Sequence, residues 1–282
     1  MRSLSAAVRR NWISILTVIF GLALWEVISW TIPPSQLSSS SKVPSLEYVF
    51  TEALLGMADY WKFDLWAPVP EKGGAQTALG AVLAIIYHSA MTLFRLTVGL
   101  IVGAVLGTVI GLLLSASETL RSIAGAPLHF LRMTPLLAMI PAFQFWFGAT
   151  DLSAIIFVAY GTSIPFILGA INAVANVPKR YMESARTLGA SRGSVYRMVV
   201  LPAILPEMFS TVIVALGLAW SAVIGAEYIG VQSGLGRIVI WSDYFSNTGR
   251  MIIITFLITA YAGVSFALIN IVRQRALGWM KP

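Results

Sequence analysis

The sequence contains no cysteine and only two histidines, His88 and His129. Disulfide bonds and thiolate metal sites are therefore excluded, and only two positions offer an imidazole. No His-Glu-x-x-His motif occurs either, so the ligand spacing of a zinc site is missing. We predict a chain with no metal site and no cofactor of its own.

Charged residues are also scarce, making up 11% of the 282 residues, whereas 57% are hydrophobic. Soluble domains carry about a quarter charged residues, so the composition predicts an integral membrane protein. The formal net charge of +7 could indicate a nucleic-acid partner. That interpretation fails once the basic residues are placed relative to the bilayer, and we predict no nucleic-acid binding.

Motifs that hold nucleotide phosphates are missing. No lysine follows a glycine anywhere in the chain, so there is no Gly-Lys-[Ser/Thr] segment, and Gly234-Leu-Gly236 lacks the strand and the other glycines of a dinucleotide loop. No carboxylate pair shares one face of an apolar run, and no internal repeat is visible, unlike in most secondary transporters. We predict that the chain is not an enzyme and that any energy its activity needs comes from a partner.

Several apolar runs reach the length needed to cross a bilayer, about 20 helical residues. They predict an all-α polytopic membrane protein with six transmembrane helices. The predicted spans are residues 12–32, 91–115, 135–147, 152–174, 208–229 and 251–272. The third span is short and contains Pro141, so we expect it to be kinked. Residues 78–87 are assigned to a separate re-entrant or interfacial helix, because 78–116 is too long for one span.

The segment between the first two spans is polar. Residues 33–79 contain proline, serine and mixed charges and are predicted to form an external loop, with an amphipathic surface helix at 43–55. Residues 57–74 are predicted to be irregular, with aromatic side chains at the lipid headgroups or against a partner. Glu26 interrupts the first span, and because intramembrane carboxylates usually face other helices, we expect it to have a structural partner.

Four glycines recur at every fourth position of the second span: Gly99, Gly103, Gly107 and Gly111. Residues four apart lie on one face of a helix, and small residues let a second helix approach closely within a membrane. We therefore predict that this glycine face packs against a neighbouring span.

Basic residues are distributed unequally between the two sides predicted for the membrane. With six spans, both termini share one side, and that side carries thirteen of the nineteen lysines and arginines. By the positive-inside rule it is the cytoplasmic side. Arg95, Arg237 and Arg250 lie on the outer side, where they either anchor the span ends at the interface or favour an anionic solute.

The most polar stretch between two spans is the basic segment, residues 181–202. Pro178 suits the first turn of a helix, and Gly189 suits the left-handed residue just past a helix end. Ser191 suits the N-cap of a second helix that runs toward Leu201. Arginines of such a unit would remain unpaired in lipid, and the charge distribution places the segment in the cytoplasm.

The basic segment resembles the Glu-Ala-Ala, Gly, Ile-x-Leu-Pro signature of ABC importer permeases. The matching positions are Glu183, Ser184, Ala185, Gly189, Val199, Leu201 and Pro202, with Ser184 replacing an alanine and Val199 replacing isoleucine. The resemblance implies a type I permease core whose coupling helix, near 178–188, docks into a groove of a separate cytoplasmic ATPase that binds ATP and magnesium. Glu183 and Arg186, about one turn apart, are the candidate contacts; a solvated surface helix is the alternative.

Other runs resemble the nitrate, sulfonate, taurine and bicarbonate subgroup of these permeases. These runs are residues 188–192, 199–206 and 226–230. The resemblance implies two cytoplasmic ATPases, an external substrate-binding protein and a small, usually anionic solute: nitrate, taurine or another sulfonate, bicarbonate, or an organic or aromatic carboxylate. Because six spans form only a thin wall, we also predict that a second copy of the permease, related by a two-fold axis, helps to enclose the path. The resemblance places the protein in a bacterial inner membrane, surrounded by lipid.

The sequence is predicted to divide into three parts. Residues 1–90 hold the first span and the external loop, residues 91–275 form the permease core, and residues 276–282 form a cytoplasmic tail. Arg95, Glu227 and Arg237 are the candidate residues of the solute pathway. The alternative function is that of a non-transporting scaffold or sensor whose basic segment binds a cytosolic partner.

Overall fold

The computed structural model describes residues 2–32 and 42–280, and the regular elements in these ranges are helical. Residues 33–41 of the predicted external loop, and Lys281 of the predicted tail, lie outside the described residues. The α-helices are α1 (Arg2–Thr31), α2 (Leu46–Tyr48), α3 (Ala78–Ser115), α4 (Glu118–Met133), α5 (Ile140–Phe147), α6 (Asp151–Ala175), α7 (Lys179–Thr187), α8 (Arg192–Val195), α9 (Leu201–Ile229), α10 (Leu235–Tyr244) and α11 (Thr248–Ala276). Short 3₁₀ or π turns lie at Val49–Ala53, Gly56–Tyr60, Pro70–Lys72, Leu136–Met139, Tyr196–Val200 and Gly278–Met280. The all-α class is confirmed.

Four helical stretches are long and apolar enough to cross a membrane. They are Ala78–Ser115, Asp151–Ala175, Arg192–Tyr228 and Thr248–Ala276, and each overlaps a predicted span. The bent pair of α4 and Leu136–Phe147 raises the number to five if it counts as one span. The apolar part of α1 that is assessed, Leu16–Thr31, is shorter. The membrane-protein class is therefore confirmed, whereas the count of six spans stays a prediction.

Residues 78–87 do not form a separate helix, contrary to the prediction, because α3 continues through them to Ser115. α3 contains no proline, and its residues His88 and Arg95 are buried with hydrogen-bond partners. At 1.5 Å per residue α3 is about 57 Å long, well beyond the roughly 30 Å of a bilayer's hydrocarbon core. The helix therefore extends outside the membrane.

The kink predicted near Pro141 lies earlier in the chain. α4 begins after Ser117, whose hydroxyl accepts a hydrogen bond from the amide of Leu120. It meets the stretch Leu136–Phe147 at an angle of 92°. Pro135 lies at this bend, where its missing N–H and fixed φ oppose a continuous helix. Pro141, in contrast, occupies the first turn of α5, where proline is tolerated.

The chain forms two compact units, and one of them comprises the residues up to Ile86 together with Ile238–Leu257. In this unit the predicted surface helix at 43–55 consists of α2 and a π turn, with Val49 and Ala53 buried. The Glu26 carboxylate accepts a hydrogen bond of 3.0 Å from the amide of Leu46, which is the structural partner that we expected.

The second unit comprises Tyr87–Arg237 and the residues from Ile258 onward. Its core lies between α3, α6 and α9, with Phe157, Val158, Leu216 and Val223 buried. The four glycines of α3 lie directly against α6. A methyl group added at Gly99 would lie 2.6 Å from Cβ of Val158, one at Gly111 would lie 2.7 Å from Cβ of Ala170, and one at Gly103 would overlap Thr162.

We expect Gly107→Ala to destabilise the protein by about 1–3 kcal/mol, the usual cost of overpacking a close contact. The new methyl group would lie 2.5 Å from the carbonyl oxygen of Ser163 and 2.6 Å from Cβ of Phe166, so α3 and α6 would have to separate. Thermal unfolding in detergent measures the change. Gly263→Ala in α11 is the matched control, because no atom lies within 4 Å of its added Cβ. Equal melting temperatures for the two variants would contradict the prediction.

Candidate functional site

The helix predicted near 178–188 is α7, which spans Lys179–Thr187 with Pro178 at its N-cap. Its end has the hydrogen bonds of a Schellman motif: Ala190 N donates to Ala185 O at 3.0 Å and Gly189 N donates to Arg186 O at 2.9 Å. Gly189 has φ +81°, the left-handed conformation that glycine adopts without strain. The structure therefore has the left-handed glycine and the helix end that the sequence predicted at Gly189.

The second helix of the basic segment begins as predicted and continues further than predicted. The Ser191 hydroxyl accepts a hydrogen bond of 3.2 Å from the amide of Ser194, which makes it the N-cap of α8. The helix does not end at Leu201. A π turn over Tyr196–Val200 leads directly into α9. In this wide turn Leu201 N donates to Tyr196 O, and Pro202, which has no N–H to donate, takes a place in the first turn of α9.

α7 has two different faces. Met182 packs on a buried cluster formed by Ala173, Val177, Val200 and Ile204, which joins the ends of α6 and α9. Glu183, Ser184 and Arg186 are exposed. Four large apolar side chains of the basic segment are exposed as well: Tyr181 at 50%, Leu188 at 88%, Met198 at 74% and Leu201 at 40%. The helix thus presents a mixed polar and apolar surface while its other side is fixed to two long helices.

Arg95, a candidate residue of the solute pathway, is completely buried in a polar cluster that joins four parts of the second unit. Nε donates to Asp151 Oδ1 at 2.9 Å, and Nη2 donates to the same oxygen at 2.6 Å and to Ser233 Oγ. Nη1 donates to Glu227 Oε1 at 2.5 Å and to the Ser233 carbonyl at 2.8 Å. These bonds use all five N–H groups of a guanidinium, so we infer that Arg95 is structural.

Glu227, a second pathway candidate, is equally buried and is held from three sides. Besides Arg95, it accepts hydrogen bonds at Oε2 from Thr92 Oγ1 at 2.8 Å and from the amide of Gly236 at 3.0 Å. Thr92 Oγ1 in turn accepts from the amide of Leu235 at 2.8 Å. Gly234 has φ +107°, and a side chain there would collide with the Glu227 carboxylate. The Gly-Leu-Gly turn thus encloses the buried carboxylate, with the amides of Leu235 and Gly236 donating to Thr92 and Glu227.

Sequence reasoning missed most of this cluster. His88, Thr92 and Arg95 have the i, i+4, i+7 spacing of one helix face, and this polar stripe in an apolar helix was the available signal. His88 Nδ1 lies 2.9 Å from the amide nitrogen of Gly234. The participation of Asp151 and Ser233 had no local signal, because they lie 56 and 138 residues from Arg95 in sequence.

The other outer arginines have partners too. Arg237 donates to Gln232 Oε1 at 3.1 Å, and partial burial lowers the pKa of its guanidinium. Arg250 forms an ion pair of 2.6 Å with Asp59 in the first unit. All three outer arginines therefore have hydrogen-bond partners within the structure.

A groove of about 570 Å³ lies in the second unit between α4, α6 and α9. Its apolar walls include Leu136, Ile164 and Leu168, and its polar residues are Arg132, Thr134, Tyr160, Asn172, Glu207, Ser210 and Thr211. The volume falls within the range of small-molecule sites, about 300–1,000 Å³. Asn172 and Glu207 lie near the ends of α6 and α9 that adjoin α7, so the groove is close to the basic segment.

This arrangement of helices is similar to that of solved ABC importers. A chain of the MetNI methionine ABC transporter in an inward-facing conformation matches with a TM-score of 0.60 and 20% identity, covering 71% of this chain and 98% of that one. At this identity the likeness shows the fold alone.

Curated relatives give the same class. The taurine transport system permease protein TauC of Escherichia coli (strain K12) is 29% identical over 231 residues, covering 82% of this chain and 76% of that protein. The bicarbonate transport system permease protein CmpB of Synechococcus elongatus (strain PCC 7942) is 27% identical over 263 residues, covering 92% of this chain and 84% of that protein. The resemblance to the nitrate, sulfonate, taurine and bicarbonate type of permease is confirmed.

The family model that describes the binding-protein-dependent transport system inner membrane component matches residues 99–280. Because the match covers more than half of the sequence, the chain belongs to this family of ABC importer permeases. It is an integral inner-membrane protein. It is a transport subunit without catalytic activity, since ATP hydrolysis belongs to a separate subunit in this family.

Proposed function

We propose that this chain forms the translocation pathway of an ATP-driven importer and that α7 is its coupling helix, docked into a cytoplasmic ATPase that binds ATP and magnesium. The observation that carries the proposal is the division of α7 into two faces. One face is packed through Met182 on the junction of α6 and α9. The other exposes Glu183 and Arg186 beside exposed apolar side chains, a composition suited to a partner groove.

The mechanism follows from these contacts. Closure of an ATPase dimer would displace α7, and the buried side chains of Val177, Val200 and Ile204 would transmit the displacement to α6 and α9. These two helices pack against each other and both line the groove. A shift between them would exchange an outward opening for an inward one. ATP shifts the equilibrium because the ATPase binds it with a different affinity in each of the two arrangements of the complex, as any population shift requires.

The complete assembly that we propose contains two copies of this chain related by a two-fold axis, surrounded by lipid, with six spans in each copy and both termini in the cytoplasm. The proposed organisation keeps the first span and external loop in 1–90, the core in 91–275 and a tail in 276–282. An external binding protein delivers the solute. The relatives' names support a small solute that carries an anionic group, because TauC is a taurine system and CmpB a bicarbonate system.

We expect Glu183→Ala to weaken binding of the ATPase subunit by about thirty-fold or more, because truncating one partner of a buried, hydrogen-bonded charge pair at an interface typically costs about 2–5 kcal/mol. Co-purification with the tagged permease at increasing salt measures the change. Glu118→Ala, an exposed carboxylate at the start of α4, is the matched control. Capture of a cytosolic partner that hydrolyses no ATP would instead support the scaffold or sensor function and overturn the proposal.

A further inference from the structure

α4 has an apolar face that the described part of the chain leaves uncovered. Of its 16 residues, only Leu128 is buried. Ile123 is 69% exposed and Phe130 is 72% exposed, and Leu120 and Leu131 are exposed as well. These four residues have the spacing of one helix face. A helix of a soluble protein turns such a face toward the core, so the apolar face of α4 requires another apolar environment.

The opposite face of α4 is polar. With about 3.6 residues per turn, the ionisable residues of the helix fall on the side away from the apolar face; they are Glu118, Arg121, His129 and Arg132. All four are exposed, and among the described residues neither arginine forms an ion pair. Leu128 lies at the boundary between the two faces. The protein therefore packs against the flank of α4 and leaves both faces free.

α4 begins where a membrane-spanning helix ends. Residues 96–115 of α3 carry no charge, so the embedded part of α3 reaches its last residue, and α4 starts at Glu118. This is the side that the charge distribution assigns to the cytoplasm. The next stretch, Leu136–Phe147, meets α4 at 92°. If that stretch leads back across the membrane, as in the six-span topology proposed above, α4 runs nearly parallel to the membrane surface.

The length of this stretch indicates how deep α4 lies. The 3₁₀ turn Leu136–Met139 and α5 together advance about 20 Å, roughly 10 Å less than the hydrocarbon core of a bilayer. α4 therefore lies somewhat below the headgroups. Pro127, inside α4, has no N–H to donate to the carbonyl of Ile123. A carbonyl left unpaired in this way is costly in hydrocarbon, which favours a surface position for α4 over a transmembrane one.

We propose that α4 is an amphipathic anchor in the leaflet at which α3 ends, with Ile123 and Phe130 among the acyl chains and Arg121 at the phosphates of anionic lipids. The apolar face is thus covered by lipid and not by a second protein. Charge complementarity supports this occupant, because an anionic leaflet attracts basic residues beside a membrane span. The inference depends neither on the role of α7 nor on the identity of the solute.

Because the chain has no cysteine, one introduced thiol can report the surroundings of the apolar face. The full-length Ile123→Cys permease is labelled with monobromobimane and placed, with its ATPase, in vesicles of phosphatidylcholine and phosphatidylglycerol. We expect quenching by shallow and deep doxyl lipids to locate the label about 5–10 Å below the headgroups, with little quenching by aqueous iodide. Ser122→Cys, one residue away on the polar face, is the matched control, and iodide should quench its label more strongly than the doxyl lipids do.

The contribution of Arg121 is tested in the same labelled protein. Arg121→Gln should reduce the preference for doxyl phosphatidylglycerol over doxyl phosphatidylcholine near residue 123 by about five-fold, which corresponds to about 1 kcal/mol. Arg275→Gln, which removes an exposed arginine at the end of α11, should leave the preference unchanged. An unchanged preference in the Arg121 variant would contradict the assignment of anionic lipid to the polar face.

Two results with the label at residue 123 would overturn the proposal. If neither the doxyl lipids nor iodide quench it, a protein covers the apolar face, and if iodide alone quenches it, the face lies in water. The measurement is repeated without the ATPase, which shows whether the ATPase is the protein that covers the face. The ATPase content of each vesicle preparation is also recorded, so that a failure of α7 to bind the ATPase is distinguished from a failure of the lipid proposal.

Discussion

Arg95→Gln is expected to destabilise the permease by about 3–5 kcal/mol, the cost of breaking a buried ion pair by removing one partner. The Glu227 carboxylate, completely buried, would lose its only cationic partner among the described residues. Asp151 and Ser233 would lose the group that joins them to α3. Thermal unfolding in detergent, followed by size-exclusion chromatography, measures the loss.

Two further variants decide whether the role of Arg95 is structural. Arg121→Gln, which removes an exposed arginine of α4, should leave the melting temperature unchanged. Adding Glu227→Gln to Arg95→Gln should recover part of the lost stability, because the unpaired buried charge is then gone. A well-folded Arg95→Gln protein that assembles normally but no longer transports would show instead that Arg95 contacts the solute.

Gly189→Pro is expected to remove the ATPase subunit from the purified complex. Proline fixes φ near −65°, whereas Gly189 has φ +81°. The substitution also removes the N–H that bonds to Arg186 O. The Schellman motif at the end of α7 would be lost, and the angle between α7 and α8 would change. Because the coupling surface depends on that angle, we expect binding of the ATPase to fall by at least ten-fold, about 1.4 kcal/mol.

The control for this variant is a second substitution at residue 189 that preserves its left-handed backbone conformation. Gly189→Asn should retain most of the ATPase, because asparagine tolerates the left-handed conformation better than other residues. Gly193→Ala, in the first turn of α8 with no atom within 4 Å of the added Cβ, should have no effect. If Gly189→Pro retained the ATPase as well as Gly189→Asn does, the turn after α7 would have no part in coupling.

The features of the fold that the sequence predicted correctly depend on composition or on interactions between residues that are close together in sequence. The apolar runs predicted the membrane class, and Gly189 and Ser191 marked the turn between α7 and α8 because both act through their own backbone conformation or nearest amides. The four-residue glycine spacing predicted a close-packed face, although not its partner. The separate helix at 78–87 was predicted wrongly because a length rule for spans does not limit a helix that extends beyond the bilayer.

What the sequence by itself determined is therefore the membrane class, the helical content and the motif that identifies the family, since each depends on composition or on residues within one or two helical turns. Only the tertiary structure decided the roles of Arg95 and Glu227. Their charges were visible in the sequence, but Asp151, Ser233 and the Gly234 turn approach them from distant positions. A buried charge is stabilised by whichever groups the fold brings within hydrogen-bonding distance, and no pattern of neighbouring residues specifies that set.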